Sequence, residues 1–194
     1  PALVLAHTHL ELSHLADTTV RALGFEAWAR SLLAQPMDSL DAASLANAVD
    51  QLTESGTAFV ADITSRNGPM VVEALQNAGI GFLLWYEQFG FAPLANDFDP
   101  PPATYRSLDP DTYALAGHAL YSTSPERLKL AKAWDKRRNK PYSLHLAEQE
   151  AEDPLLLRGD GPLADLLRPT VLPADFSPPG LDAVSYADSL GLLD

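Results

Sequence analysis

Apolar residues along this chain fall into short runs that switch repeatedly between a period of two and a period near 3.6. Residues 2–9 (ALVLAHTH) read as a buried strand. Alternate side chains of a strand point the same way, so Leu3, Leu5, His7 and His9 share one face. Residues 25–33 predict a helix. A clearer helix follows over about 40–55, where Leu45, Val49 and Leu52 form its apolar stripe. Ser39 is the expected N-cap of that helix, Asp41 falls in its first turn, and Gly56 suits the left-handed position beyond its end. Residues 57–63 (TAFVADI) make a second strand and 69–78 the next helix. A third strand, 80–86 (IGFLLWY), is apolar on both faces, as a parallel sheet requires.

The stretch 90–111 is rich in proline and reads as loop, with Pro100, Pro101 and Pro102 inside it. Residues 112–119 predict the fourth strand. Ser124 and Pro125 then open a helix to about Asn139, serine as N-cap and proline at the first helical position. The fifth strand is expected over 141–146, with Tyr142, Leu144 and Leu146 on one side and Ser143 and His145 on the other. Two short helices, 162–167 and 181–190, complete the pattern. Strands alternating with helices predict right-handed βαβ units and a parallel sheet. Functional residues of such folds sit at the C-terminal ends of the strands, and His9, Asp62, Glu87, His118 and His145 all fall at or near those ends.

Two short patterns carry candidate chemistry. His7-Thr8-His9 places two imidazoles on one strand face, where both can converge on one ion, and neutral imidazole is a common ligand for zinc, iron and nickel. His145 at a strand end, with Glu148 three residues on, would add a third ligand and a proton carrier. Alone, an H-x-H pair describes two packed histidines more readily than a metal site. Both patterns at strand ends of one βα-repeating chain favour the metal. His118 ends the fourth strand, where a substrate contact and a hydrogen-bonded buried histidine are equally good descriptions. His14 reads as a solvated loop residue, Glu11 and Glu87 as partners for arginine, and Asp62 as a hydrogen-bond acceptor on the loop side. A cupin-type site also uses H-x-H with a carboxylate, but the flanking glycines are missing and the element order is βα.

Composition narrows this further. With 194 residues, 46% of them apolar, one well-packed domain over 1–194 is expected. The net charge of −13 repels phosphate backbones and argues against nucleic acid as a partner. The basic cluster Lys136, Arg137, Arg138 and Lys140 is expected to complement a helix C-terminus. No apolar run approaches the roughly 18 residues of a membrane span. The absence of cysteine and of a basic leader fits a cytoplasmic protein without membrane contact.

With these residues in view, the chain resembles the amidohydrolase superfamily, in its metal-dependent deaminase and chlorohydrolase branch. The matching stretches are LAHTHLELSHL, GTAFVADITS, GFLLWYEQFGF, GHALYSTSPERL and SLHLAEQEAED, followed by GDGPLADLL and GLDAVSYADSLGLLD, all in the family's order. The resemblance implies a partial (β/α)8 barrel, about strands one to five. It implies one divalent ion held by His7, His9 and His145, zinc first among the metals, with iron, manganese and nickel open. Glu148 would be the catalytic proton carrier and His118 a substrate contact, although Leu120 stands where the family usually has proline. The implied reaction is hydrolysis of an aminated or chlorinated N-heterocycle, a small molecule.

The family's later histidine and aspartate find no match within these residues, and a closed barrel typically needs about 250 residues. The chain is therefore expected to be a piece of a longer parent, weak in metal binding, and prone to self-association through open barrel edges. A catalytically silent folded fragment and a metal-binding protein without turnover are the competing expectations.

Overall fold

A computed structural model describes residues 2–20, 23–94, 101 and 103–193. Five strands, β1 (Leu3–Thr8), β2 (Thr57–Ile63), β3 (Gly81–Gln88), β4 (Tyr113–Ala119) and β5 (Ser143–His145), follow one another in chain order. The order and the intervening helices are those of a partial (β/α)8 barrel. The chain resolves into two compact units, one of 1–22, 31–87 and 100–114, the other of 23–30, 88–99 and 115–194.

In the first unit β1 and β3 flank β2 in parallel, with Thr8 opposite Asp62 and Ile63 opposite Trp85. The helices α2 (Ala42–Glu54) and α3 (Gly68–Asn77) cover this sheet, and Leu45, Val49, Val60, Val71, Leu75 and Leu84 form its core. Gly68 opens α3 because Tyr105 lies where a β-carbon would be, donating its hydroxyl proton to the Thr64 carbonyl at 2.8 Å. Three expectations change here. The N-cap of α2 is Asp41, whose carboxylate accepts from the Ser44 N–H at 2.9 Å, so the helix starts later than Ser39 would have it. A four-residue helix, α4 (Ala103–Arg106), interrupts the expected loop, while Pro100 and Pro102 lie outside the described residues. And β1 is not buried: Leu3, Val4 and Leu5 are 56%, 67% and 38% exposed. An apolar run records what a segment could bury, not whether a layer lies over it.

In the second unit β4 pairs with β5 in parallel, Gly117 opposite Leu144. The helix α1 (Phe25–Leu33) contributes Phe25 and Ala29 to a core with Leu155, Leu163 and Leu166. Those leucines come from α6 (Glu152–Arg158) and α7 (Pro162–Leu167). A second core joins α5 (Pro125–Lys136) to α8 (Ala183–Ser189) through Leu128, Leu156, Ala183 and Ala187. Ser124 caps α5 as expected, accepting from the Arg127 N–H. At the far end the Arg138 guanidinium donates to the Trp134 carbonyl at 3.3 Å, so the basic cluster does complement the helix C-terminus. The fifth strand is three residues long rather than six, and α6 stands where no element was expected. No helix among the described residues is long and apolar enough to cross a membrane.

Candidate metal centre and active site

β1 delivers His7 within the strand and His9 just beyond it, where the chain turns into a short 3₁₀ segment, Leu10–Leu15. Their Nε2 atoms stand 3.1 Å apart, with the rings edge to face. Two imidazoles at about 2.0–2.1 Å from a tetrahedral zinc stand about 3.3 Å apart, so this spacing fits two ligands of one cation. The turn that follows is fixed by two buried carboxylates. Asp62 is fully buried on β2 and accepts from the Leu10 N–H at 2.8 Å, which bears out its reading as a hydrogen-bond acceptor. Burial, reinforced by the charge of Glu11, pushes the Asp62 carboxyl well above the usual range.

Glu11, 3% exposed, does more than pair with arginine. It accepts from the Thr64 hydroxyl and from the N–H groups of Ser65, Arg66 and Asn67 at 2.8–3.2 Å, and Arg66 approaches it at 3.7 Å. One carboxylate thus holds the whole turn between β2 and α3. Glu87, near the end of β3, is pushed up to about 8 by burial first and by Glu11 second, against the pull of Arg66. His14 is not merely solvated: it lies half-buried in the 3₁₀ segment, its Nε2 3.0 Å from the Pro36 carbonyl.

The second unit brings His118 and His145 together, ring centroids 5.0 Å apart. His145 Nδ1 lies 2.9 Å from the His118 carbonyl oxygen. A carbonyl only accepts, so Nδ1 carries the proton and Nε2 the lone pair, the tautomer a metal ligand needs. His118 Nδ1 lies 2.5 Å from the Ser122 hydroxyl, which itself donates to the Ala119 carbonyl, so here too Nδ1 is the donor. Phe89 meets the His118 ring edge to face. Glu148 lies exposed, three residues beyond His145. Its loop is held by a residue the sequence reading passed over. Glu152, 1% exposed at the start of α6, accepts from the Glu148 N–H at 2.7 Å and the Ala147 N–H at 3.2 Å. Three leucines behind a pair of acids and Pro154, closed by Gly159 in the left-handed conformation, were the available signal for α6. Among the described residues, His and Glu side chains offer donor groups of the kind that hold a metal ion.

No family model matches the chain. It is 26% identical over 208 residues to the aminodeoxyfutalosine deaminase of Deinococcus radiodurans, covering 100% of this chain and 49% of that protein. The resemblance to the amidohydrolase superfamily stands. The chain thus spans about half the length of the curated relative it matches. Its fold is that of Helicobacter pylori aminofutalosine deaminase, with a TM-score of 0.76 and 21% identity over 97% of this chain and 46% of that one. The atrazine chlorohydrolase of Arthrobacter aurescens, solved with zinc, gives a TM-score of 0.66 and 13% identity over 99% of this chain and 46% of that enzyme. The partial (β/α)8 barrel read from the sequence is therefore the fold of this chain.

Proposed function

We propose that this chain carries the metal-binding part of a hydrolase that removes the amino group of an aminated N-heterocycle, with a small molecule as substrate. His7, His9 and His145 are its metal ligands, Glu148 its proton carrier and His118 a substrate contact. The observation that carries the reading is the convergence of the His7 and His9 Nε2 atoms at zinc-ligand spacing. The His145 tautomer supports it, and so do the deaminases to which the chain is similar. Zinc is the first choice, since imidazole suits it and a structural neighbour was solved with it.

The imidazoles of His7, His9 and His145 would hold a divalent cation, which would supply Lewis acidity toward a water. Glu148 accepts the water proton and passes it to the leaving amine. The oxygen forms a bond to the ring carbon, the carbon–nitrogen bond breaks, and ammonia leaves with the transferred proton. His118, its Nδ1–H committed to Ser122, offers Nε2 as an acceptor for a polar group of the ring. The likeness to atrazine chlorohydrolase adds a second reading, displacement of chloride from the same kind of ring.

The test is release of ammonia, or of chloride, from a panel of aminopurine nucleosides and chlorinated triazines by zinc-loaded protein. Glu148→Gln is expected to lower kcat by about 10²–10⁴ with zinc content unchanged. His145→Ala is expected to lose zinc and activity together. Zinc bound without turnover on any substrate would favour a metal-binding protein. Neither zinc nor turnover would favour a catalytically silent fold.

A further inference from the structure

The geometry points to Glu152 as a positioning residue that sets the loop carrying Glu148. This rests on the reading of Glu148 as the proton carrier. After β5 the chain leaves His145 and passes through Ala147 at φ 52, a left-handed conformation that an alanine adopts only under constraint. The peptide N–H groups on either side of this bend, those of Ala147 and Glu148, both point at one carboxylate. They donate to Glu152 Oε2 at 3.2 Å and Oε1 at 2.7 Å. The Glu152 N–H returns to the Gln149 carbonyl at 3.2 Å, closing the loop on itself.

Glu152 cannot drift with the loop. It is 1% exposed, and the residues after it, Leu155 and Leu156, are fully buried in two separate cores. Fixing the two peptide planes that flank Ala147 fixes the N–Cα bond of Glu148, and so limits the arc through which its carboxylate swings. A buried carboxylate on a packed helix therefore holds the backbone from which an exposed one projects. Glu152 itself need not touch substrate to matter. A displacement of about 1 Å in a reacting group can cost about a hundredfold in rate.

Glu152→Gln keeps the shape but replaces one acceptor oxygen with an NH₂ that meets an N–H. Leu156→Ala loosens α6 without touching the carboxylate and controls for simple destabilisation. Each variant is assayed for kcat and KM in ammonia release from an aminopurine nucleoside with zinc present. Amide hydrogen exchange at Ala147 and Glu148 is measured by NMR on the same proteins. Glu152→Gln is expected to lower kcat about tenfold to a hundredfold with KM within about twofold, zinc content unchanged and exchange at both amides accelerated. A Glu152→Gln kcat within about twofold of wild type, or an equal loss in Leu156→Ala, would overturn the role. If wild type itself shows no turnover, the deaminase reading fails on its own. Exchange then decides separately: lost protection at the two amides keeps Glu152 as the holder of the loop, and unchanged protection removes it.

Discussion

At the scale of single residues, the carboxylates matter more than the histidines for how the chain is built. Glu11, Asp62, Asp135 and Glu152 are all buried, and all accept backbone N–H groups. Asp135 gives the clearest pH test. It is fully buried, accepts from the Leu115 N–H at 2.9 Å, and is pushed up to about 7 by burial, against the pull of Arg138, Lys132 and Lys140. A carboxyl raised above its unfolded value of about 3.9 favours the folded state when protonated. Its contribution is therefore fully present below about pH 4 and lost as pH rises through about 7. Asp135→Asn keeps the acceptor oxygen and removes the titration. Thermal melts at pH 5 and pH 8 are expected to show a larger fall in Tm for wild type than for Asp135→Asn. Parallel falls would show that Asp135 is not the group responsible.

At the scale of elements, the strands were legible because their apolar runs are short and bounded, and β2 matches its expected limits to the residue. Helix ends were less legible, because several residues can cap one start and only local geometry chooses between them. Ser39 and Asp41 are both good caps by type, and the structure gives the role to Asp41, whose Oδ2 also accepts from the Ser44 hydroxyl at 2.7 Å. Asp41→Ala is expected to lower Tm while Ser39→Ala leaves it unchanged, and the reverse result would restore the earlier start. A second element-scale test concerns β4. A β-carbon at Gly117 would collide with Leu128 of α5 and with the Tyr142 hydroxyl just before β5, and would crowd Leu144 within it. Gly117→Ala is expected to destabilise by about 1–3 kcal/mol in urea unfolding, since that core has no slack to absorb a methyl group. The close approach of β4 to its neighbours could not be read from one glycine in an apolar strand. It needs the partners to be known.

At the scale of the whole molecule, the sequence could name the His7, His9 and His145 pattern but not the scaffolding around it. The H-x-H spacing is local, whereas Glu11 and Asp62 act on segments that folding brings to them, and Glu152 is local but shows its role only once its backbone donors are seen. Burial of β1 was the molecular-scale misreading, and it has a consequence for association. Among the described residues β1 lies at the end of the strand order and pairs with β2, while Leu3, Val4 and Leu5 are exposed. An apolar edge without lysine or proline in the strand is the kind that templates pairing with another chain. The net charge of −13 opposes close approach, but Debye screening over about 8 Å at physiological salt leaves contact-range pairing available. Light scattering on a size-exclusion column at micromolar concentration is expected to give a mass above that of one chain, rising with salt. Val4→Lys puts a charge on that edge and is expected to shift the protein toward monomer. A wild-type monomer at every salt concentration would mean that the edge is protected by something other than its residue types.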